Sequence, residues 1–410
     1  MTDVKTRVEA DLKTLLRGTV DCFTVEDLSR KLAAFHRGER PPLRVKLGMD
    51  PTHPDLHLGH SVVLRKCRQF QELGHKLVLI IGDGTAFVGD PSGRSKTRPV
   101  LTREEIEANC KSYFEQAGRI VLLDEKLLEI RYNGDWFYKM MFADVVKLAS
   151  RMTVARLLER DDFSNRYKTG QPIALHEMLY PLMQGYDSVM INSDVEMGGT
   201  DQTFNLLVGR GLMPEFGQEA QVALTMPLLI GLDGTHKMSK SLGNFVAVID
   251  TPKEMFGKVM SLPDSLMRNY YELLTDLPME QINSLLAPPT HPMEAKKRLA
   301  VEITGWYWGK EAATGEREEF ERTFSRREIP QDIPLFDLPE RDAEGKVSVI
   351  AIIRAVGTIA SNNEARRLVE QGGLKLNGEK IESPDARIIV GADDVFKVGK
   401  KTFARFRVPK

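Results

Sequence analysis

Two histidines stand three residues apart in the stretch "LGMDPTHPDLHLGHSVVL", residues 47 to 64. If a helix begins near Leu58, His57 and His60 lie on one side of its first turn. Unpaired backbone N–H groups and the positive end of the helix dipole lie in the same place. Gly59 adds no side chain there, so a flat ligand could lie against the backbone. The spacing therefore suits the binding of a polyphosphate.

Two other interpretations of these histidines start from the same residues. Zinc needs three or four ligands, and a proline-rich loop separates His53 from the pair, so the stretch lacks an obvious local metal motif. A purely structural role for two exposed histidines needs no ligand. Taken alone, the stretch leaves the structural role open and makes a metal site the less favoured interpretation.

A lysine-rich loop, "HKMSKS" at 236–241, follows a predicted strand and the turn "LDGT". Lys237 and Lys240 flank small and flexible residues, so they could close over phosphates and open again. Loops of this kind are more often simply solvated, and that interpretation would be favoured if the loop stood alone.

The stretch "YPLMQGYD" (180–187) brings a further set of polar residues to one surface. Tyr180, Gln184 and Asp187 stand at i, i+4 and i+7, which is one face of a helix. An ordinary amphipathic helix, with the tyrosine packed and the other two side chains exposed, has the same spacing. The face is therefore a candidate binding surface only in combination with other motifs.

The elements that must position these residues alternate between strands and helices. Short apolar runs at 43–50 and 76–83 flank a helical pattern at 58–73, which predicts a βαβ unit. A further buried strand is predicted at 221–230. Additional helical patterns occupy 102–118, 135–149 and 173–192. The alternation predicts an α/β fold with a parallel sheet, helices on both faces, and ligands beyond the carboxyl ends of the strands.

The pattern changes in the last third of the chain. From about 250 to 335 it is helical, with few strand signals. The proline-rich segment 328–346 shows little periodicity and is predicted to be a linker. Two short helices are predicted next, and Asn377-Gly378 between alternating residues then predicts a hairpin.

The composition excludes several classes of protein. The 410 residues are 42% hydrophobic and 28% charged, which is typical of a globular protein of more than one domain. No apolar run reaches the roughly eighteen residues of a membrane helix, and the charged N-terminus predicts an amphipathic helix rather than a signal peptide. Cys22, Cys67 and Cys110 are scattered, which argues against a disulfide scaffold and for a reducing cytoplasm.

The formal net charge of −1 hides an uneven distribution. Residues 346 to 410 carry 13 Lys and Arg against 7 Asp and Glu. A basic C-terminal region on an acidic body suggests a polyanionic partner. Charge alone slightly favours a solvated basic face.

The histidine and lysine motifs, each just after a predicted strand, together resemble the signature pair of class I aminoacyl-tRNA synthetases. The order of "GMDPTHPDLHLGH", "GDPSG" (89–93), "YPLMQGYD", "GGTDQ" (198–202) and the lysine loop is similar to that of bacterial tyrosyl-tRNA synthetases over nearly the whole chain. The resemblance implies a Rossmann-like parallel-sheet catalytic domain at 1–245, a helical anticodon-arm-binding domain at 246–335, a linker at 336–345, and a small α+β RNA-binding domain at 346–410 that resembles a ribosomal-protein module.

The functional residues of that family match positions in this chain. The matches that the resemblance implies as catalytic are Thr52, His57, His60, Lys237 and Lys240, and those near ATP or the adenylate are Asp50, Gly59, Gly199, Asp201, Gln202 and Met238. The tyrosine-binding matches are Gly48, Asp90, Tyr180, Gln184 and Asp187, with Asp187 accepting a hydrogen bond from the phenol. Arg94 and Arg98 match basic positions near the pyrophosphate, although an ordinary surface role is equally open. RNA phosphates are expected to meet Arg366, Arg367, Lys375 and Lys380.

The chain departs from the family pattern near the expected substrate hydroxyl. Lys46 stands where well-studied members have a tyrosine that contacts this hydroxyl, and Leu47 stands where some have a cysteine. Thr203 occupies a position where an aromatic residue is common. A second bacterial subgroup with a lysine at the first position is the closer resemblance. Asp187 is left as the firmer expected contact with the hydroxyl.

The resemblance implies a two-step reaction. L-tyrosine attacks ATP to give tyrosyl-adenylate and pyrophosphate, and the tyrosine is then transferred to the 3′-terminal ribose of tRNA(Tyr). Mg²⁺ is expected to accompany ATP, with no dedicated metal site in the protein. The family also implies a cytoplasmic homodimer with no membrane association.

Three alternatives differ in specific residues. A tryptophanyl-tRNA synthetase would lack the face formed by Tyr180, Gln184 and Asp187. An RNA-binding paralogue with a decayed site is disfavoured by the intact histidines, lysines and Asp201. A small-molecule nucleotidyltransferase with the same histidine motif would need neither the lysine loop nor the basic C-terminal region.

Overall fold

A computed structural model of the protein describes residues 3–49, 56–90, 105, 113, 115–325, 333–357, 359, 361–399 and 402–408. The chain divides into two compact units, residues 1–316 and 317–410. The first unit extends well past residue 245, where the sequence predicts the end of the catalytic domain. The helical segment after that residue is therefore not a compact unit of its own, because most of it packs within the first unit.

The first unit is built on a six-stranded sheet. Its strands are β1 (Asp21–Phe23), β2 (Arg44–Met49), β3 (Lys76–Ile81), β4 (Leu128–Tyr132), β5 (Val195–Gly199) and β6 (Val222–Met226). They lie in the order β1-β6-β5-β2-β3-β4, and all neighbours are parallel except β1 and β6. The strand order therefore reverses between β2 and β5, and such a reversal opens a crevice at the carboxyl ends of the strands.

Helices alternate with these strands and continue past the last of them. They are α1 (Val4–Leu15), α2 (Val25–His36), α3 (Leu58–Glu72), α4 (Gly134–Phe137), α5 (Phe142–Ala149), α6 (Val154–Leu157), α7 (Asp161–Lys168), α8 (Tyr180–Ile191), α9 (Thr203–Leu212), α10 (Pro252–Met260), α11 (Met267–Leu274), α12 (Met279–Leu285), α13 (Pro292–Trp308) and α14 (Lys310–Phe320). Short 3₁₀ turns lie at Thr85–Phe87, Glu177–Leu179, Thr200–Gln202, Met213–Phe216, Lys240–Leu242 and Asp264–Leu266, and a π-helical turn at Glu321–Ser325. Strands β3 and β6 are almost entirely buried, as expected for parallel strands covered on both faces. Among the described residues, no helix has the length and apolar character needed to cross a membrane.

Helix α3 carries the histidine motif into the crevice. Leu58, Val62, Leu64 and Phe70 recur at helical spacing and are buried, so this face packs α3 against β2, β3 and β5. The helix ends just before Gly74, whose φ of +85° favours glycine. The predicted βαβ unit is confirmed by β2, α3 and β3.

Other predicted elements differ in their limits. The helix predicted at 173–192 begins only at Tyr180, because Pro181 fits the first turn of a helix and not its interior. The pattern at 135–149 is two helices, α4 and α5, and Asp144 accepts the Met141 N–H that opens the second. The predicted N-terminal helix and the strand within 221–230 are confirmed by α1 and β6. Most of the helix predicted at 102–118 lies outside the described residues.

The second unit has its own core. Its elements are β7 (Leu335–Asp337), β8 (Val347–Ser348), α15 (Val349–Ala355), α16 (Asn362–Glu370), β9 (Leu374–Leu376), β10 (Glu379–Lys380), β11 (Arg387–Ile388), β12 (Phe396–Val398) and β13 (Thr402–Arg407). The order β10-β9-β12-β13-β7 forms one sheet, and β8 pairs with β11. The predicted hairpin is confirmed, because Asn377 and Gly378 both have positive φ between β9 and β10.

Part of the segment predicted to be a linker is a strand. Residues 335–337 form β7, which pairs in parallel with β13 and closes one side of the second sheet. Phe336 packs against Phe406, with ring centroids 6.1 Å apart. The prolines on either side obscured this short strand, since proline disfavours strand interiors but not their flanks.

Candidate active site

A cavity of about 480 Å³ opens in the first unit, with Gly48 of β2 and Gly199 of β5 in its wall. The first turn of α3, the polar face of α8 and the lysine loop supply further lining. The predicted site residues that line it are Gly48, His57, Gly59, His60, Asp90, Tyr180, Gln184, Asp187, Gly199, Asp201, Gln202, Lys237, Met238 and Lys240. Asp50, Thr52, Arg94 and Arg98, also predicted as site residues, lie outside the described residues.

Asp187 brings a buried carboxyl group to the cavity wall. Its Oδ1 accepts a hydrogen bond from Trp136 Nε1 at 3.0 Å, and its Oδ2 accepts one from Asn133 Nδ2 at 3.2 Å. Burial raises the pKa of Asp187 to about 7, against the lowering effects of Lys46, Asn133 and Trp136. The carboxyl group is fixed in place and retains lone pairs for a hydroxyl donor.

Asn133 and Trp136 were not predicted as site residues. Both lie directly after β4, at the carboxyl end of a parallel strand, so recognition of that strand would have indicated them. Strand β4 is an edge strand that alternates between partly buried and exposed residues, so it lacks the continuous apolar run that identified β2 and β3.

A chain of side-chain hydrogen bonds connects Gln184 and Asp90, two of the three residues predicted to hold the substrate ammonium group. Asn205 Nδ2 donates to Gln184 Oε1 and to Gln202 Oε1, each at 3.0 Å. Gln202 Nε2 donates to Asp90 Oδ2 at 2.8 Å, and Arg160 Nη2 donates to Asp90 Oδ1 at 3.3 Å. The network holds carboxylate and amide oxygens against one side of the cavity, which suits a bound cation.

The two histidines cap α3 in addition to facing the cavity. His57 Nδ1 accepts a hydrogen bond from the Gly59 N–H at 3.1 Å, and His60 Nδ1 accepts one from the His57 N–H at 3.2 Å. Burial lowers the pKa of His57 to about 2, with further lowering by His60 and Lys240. The neutral ring of His57 therefore carries its proton on Nε2, where it can donate to a phosphate oxygen without adding charge.

Glycine is required at two positions in the cavity wall. A Cβ on Gly59 would lie 2.9 Å from the His57 ring, and a Cβ on Gly199 would lie 2.8 Å from Asp201 Oδ1. Both distances are shorter than van der Waals contact. The backbone therefore stays accessible at the points where the histidine and "GGTDQ" motifs meet the cavity.

The lysine loop is folded back on itself. Asn244 fixes it: Oδ1 accepts from the Ser239 N–H at 2.8 Å, and Nδ2 donates to Lys237 O at 3.2 Å and to Asp233 Oδ2 at 3.0 Å. Lys237 Nζ donates to Asp201 Oδ2 at 3.3 Å. The loop thus holds its lysines beside the histidine end of the cavity, and Asn244 is a further residue that sequence reasoning missed.

Lys46 does not line the cavity. Its Nζ lies 2.8 Å from Glu196 Oε1, and neither side chain is exposed to solvent. Lys46 therefore contacts buried groups and not the cavity, where Asp187, held by Asn133 and Trp136, supplies a carboxyl group.

The four predicted RNA-binding residues lie in the second unit. Arg366 and Arg367 are exposed on α16, and Lys375 of β9 pairs in register with Lys380 of β10. Arg366 Nη2 donates to Asp385 Oδ1 at 2.6 Å, which offsets part of its charge.

Within the described part of the chain, no group of three His, Cys, Asp or Glu side chains is arranged to hold a metal ion.

Comparison with a protein family supports the class that the fold and cavity suggest. Residues 39–325 match the family described as tRNA synthetases class I (W and Y). That range covers most of the chain, including strands β2 to β6, both motifs and the cavity. The chain therefore belongs to the class I tRNA synthetases of this group.

Comparison with individual relatives identifies the family within this class. The tyrosine–tRNA ligase of Thermotoga maritima is 49% identical over 401 residues, which are 97% of each chain. That of Deinococcus radiodurans is 49% identical over 97% of this chain and 96% of its own. Within the class, the chain belongs to the tyrosine–tRNA ligase family. The predicted resemblance to bacterial tyrosyl-tRNA synthetases is confirmed, whereas the lysine subgroup stays a prediction.

Solved structures share the fold. A C-terminally truncated mitochondrial tyrosyl-tRNA synthetase of Aspergillus nidulans aligns with a TM-score of 0.63 and 22% identity over 77% of this chain and 94% of its own. A tyrosyl-tRNA synthetase of Archaeoglobus fulgidus complexed with L-tyrosine aligns with a TM-score of 0.60 and 23% identity. The alignment covers 76% of this chain and 99% of that protein.

Proposed function

We propose that this member of the tyrosine–tRNA ligase family activates L-tyrosine with ATP and transfers it to the 3′-terminal ribose of tRNA(Tyr). The observation that carries the proposal is a single cavity with two chemically different ends. One end holds the buried carboxyl group of Asp187, and the other is formed by His57, His60 and the lysine loop. A phenol and a triphosphate would be held together there.

Tyrosine specificity follows from Asp187. Its carboxylate would accept a hydrogen bond from the substrate phenol, while Asn133 and Trp136 fix its position. Phenylalanine would leave this buried group without that partner, a cost for which tyrosyl-tRNA synthetases are themselves the established example. Gln184, Tyr180 and Asp90 would hold the substrate ammonium group, and Gly48 would let the substrate approach β2.

Activation needs no side-chain nucleophile, because the substrate carboxylate itself attacks the α-phosphate. The protein would position the two reactants and stabilise charge. His57 and His60 would donate hydrogen bonds to phosphate oxygens from the first turn of α3. Lys237 and Lys240 would hold the leaving pyrophosphate.

The adenosine end of ATP would lie along the remaining wall. Gly59 leaves room for the adenine, and the buried backbone of Met238 lies close by. Gly199, Asp201 and Gln202 would face the adenylate, with Asp201 at the ribose. Mg²⁺ would enter bound to the phosphates of ATP, which it prefers to a cage of protein ligands.

The rest of the chain would bind tRNA. The helices between 246 and 335 would contact the anticodon arm, and the second unit would meet RNA phosphates through Arg366, Arg367, Lys375 and Lys380. The exposed arginines on α16 support this role. The reaction would take place in the cytoplasm, where its proposed substrates tRNA and ATP are found.

A homodimer would cover an apolar surface of the first unit. Exposed apolar side chains are frequent between residues 123 and 216, and Phe142 and Leu175 are 83% and 79% exposed. Apolar exposure of this extent is typical of a surface covered by another chain. The edge strand β4 belongs to the same stretch.

Amino-acid-dependent exchange of pyrophosphate into ATP tests the proposal. We expect exchange with L-tyrosine and little with phenylalanine or tryptophan. Exchange driven by tryptophan would overturn the assigned specificity. Absence of exchange with any amino acid would indicate an RNA-binding protein with a decayed site.

A further inference from the structure

Lys46 and Glu196 form a buried ion pair across the two strands where the sheet reverses. They are directly opposite each other in the register of β2 and β5, and both side chains are 0% exposed. A buried ion pair costs desolvation energy that apolar side chains of similar volume avoid, so it is weak support for stability alone. Its bonding partners indicate another role.

Besides its contact with Glu196, the Lys46 ammonium group bonds to α8. Nζ donates to Gln184 O at 2.6 Å and to Ser188 Oγ at 2.8 Å. Glu196 completes the same arrangement, because its Oε2 accepts from Ser188 Oγ at 3.1 Å and also from Gln221 Nε2. The pair therefore attaches α8 to the centre of the sheet. This helix carries the predicted tyrosine-binding face.

Glu196 also determines which way the Gln184 amide points. Gln184 Nε2 donates to Glu196 Oε1 at 3.1 Å. A carboxylate can only accept, so the nitrogen of the amide must face it and the oxygen must face away. That oxygen accepts a hydrogen bond from Asn205 Nδ2, and Gln184 itself lines the cavity, where an ammonium group would need an acceptor.

We propose that the Lys46–Glu196 pair is the positioning device that orients the Gln184 amide toward the ammonium group of the bound amino acid. This inference rests on the proposed function, in which Gln184 contacts the substrate. Lys46 neutralises the carboxylate and holds the backbone of Gln184, while Glu196 fixes the side chain. The lysine that replaces the family's tyrosine thus acts on the ammonium end of the substrate through Gln184.

Two double variants test the inference in the full-length protein. Lys46→Met/Glu196→Met removes the pair without leaving a buried charge. Gln221 keeps the carbonyl of Leu206 as a partner, and the Ser188 hydroxyl can donate to the Gln184 carbonyl one helical turn earlier. Lys46→Met/Glu196→Gln also removes both charges but retains an oxygen that can accept from Gln184. In pyrophosphate exchange, we expect KM for tyrosine to rise about tenfold in the first and about threefold in the second. KM for ATP should change less than twofold in both.

Lys31→Met is the matched control. Like Lys46, Lys31 is fully buried and lies outside the cavity lining, but it is paired with Asp194 and Glu219 and not with residues of α8. Those carboxylates keep Arg40 and Arg30 as partners, so the variant should fold. It should leave KM for tyrosine unchanged. Equal rises for tyrosine and ATP, or equal effects of the two double variants, would overturn the inference.

Gln184→Ala separates this inference from the proposed site. If Gln184→Ala raises KM for tyrosine and the double variants do not, the positioning role is wrong and the site stands. If Gln184→Ala leaves KM for tyrosine unchanged, the ammonium site itself is misassigned and the positioning role falls with it.

Discussion

Asp187 is a buried carboxyl group in the cavity wall, held by Asn133 and Trp136. Its spacing from Tyr180 and Gln184 indicated a shared helix face, and the structure brings all three to the cavity. The ionisation of Asp187 depends on burial, which a sequence pattern does not give. Burial raises its pKa to about 7, whereas an aspartate in the unfolded chain has a value of 3.8.

Tyrosine recognition should therefore depend on pH near neutrality. Because ionised Asp187 is the better acceptor for the phenol, kcat/KM for tyrosine should fall about eightfold between pH 7.5 and pH 6. Pyrophosphate exchange measured across this range checks the expectation. His57, whose pKa lies near 2, should add no change in this interval.

Asp187→Asn is the control, since its amide does not titrate. Its kcat/KM should be lower overall and lack the limb near pH 7. The folded state binds the Asp187 proton more tightly than the unfolded state, so the contribution of Asp187 to the free energy of unfolding should decrease from about pH 4 to about pH 7. The difference in the free energy of unfolding between the unsubstituted protein and Asp187→Asn measures this contribution. An unchanged pH limb in Asp187→Asn would show that another group is responsible.

Among the elements, the lysine loop has a conformation that the sequence did not indicate. The motif predicted a flexible phosphate-binding loop, and its two lysines do line the cavity. The order of the loop comes from Asn244, which bonds both backbone and side-chain groups across the turn. An asparagine three residues past the motif carried no pattern that could identify this role.

Asn244→Ala should misplace Lys237 and Lys240 relative to the phosphates. We expect the rate of pyrophosphate exchange to fall about tenfold, because charge stabilisation depends on fixed geometry. KM for tyrosine should stay within about twofold, since Asp187 and Gln184 are untouched. Asn283→Ala, which removes an amide bonded to Arg268 instead, should have neither effect. A rise in KM for tyrosine alone would contradict the assigned role of the loop.

In the first unit, the strands that the sequence predicted are buried ones, and the short or exposed strands were missed. The apolar runs of β2, β3 and β6 are buried along most of their length, so their hydrophobicity identified them. Strand β1 has three residues and β4 is half-exposed at the edge, and neither presents such a run. Helix α2 was missed although Thr24 caps it by accepting the Asp27 N–H at 3.1 Å, a signal that its sequence contains.

At the scale of the whole molecule, the chain is two compact units with separate cores. The proposed chemistry of amino-acid activation lies within the first, and the predicted RNA contacts of the C-terminal region lie within the second. The sequence motifs predicted this division of tasks. They did not predict where the second unit begins, because β7 belongs to it only through its pairing with β13, which joins residues far apart in sequence.

Removing residues 326–410 should separate the two steps of the reaction. Tyrosine-dependent pyrophosphate exchange should stay within about twofold of the full chain. Charging of tRNA should fall by about tenfold or more, because phosphate contacts supply much of the affinity for nucleic acids. Assays of both activities on the same preparation check this.

A shorter deletion, of residues 346–410, serves as the comparison. It leaves β7 without β13, so the variant should aggregate more readily than the longer deletion. Full charging activity after the longer deletion would show that the second unit has no part in binding tRNA.

The buried pair of Lys46 and Glu196 has a consequence for how this sequence can change over generations. Losing either partner alone leaves an unpaired charge in the core, which costs on the order of 3–5 kcal/mol. Substitution at one position is therefore tolerated only with a matching substitution at the other. Positions 46 and 196 should therefore covary among relatives. Relatives with an uncharged residue at position 46 should lack an acidic residue at position 196.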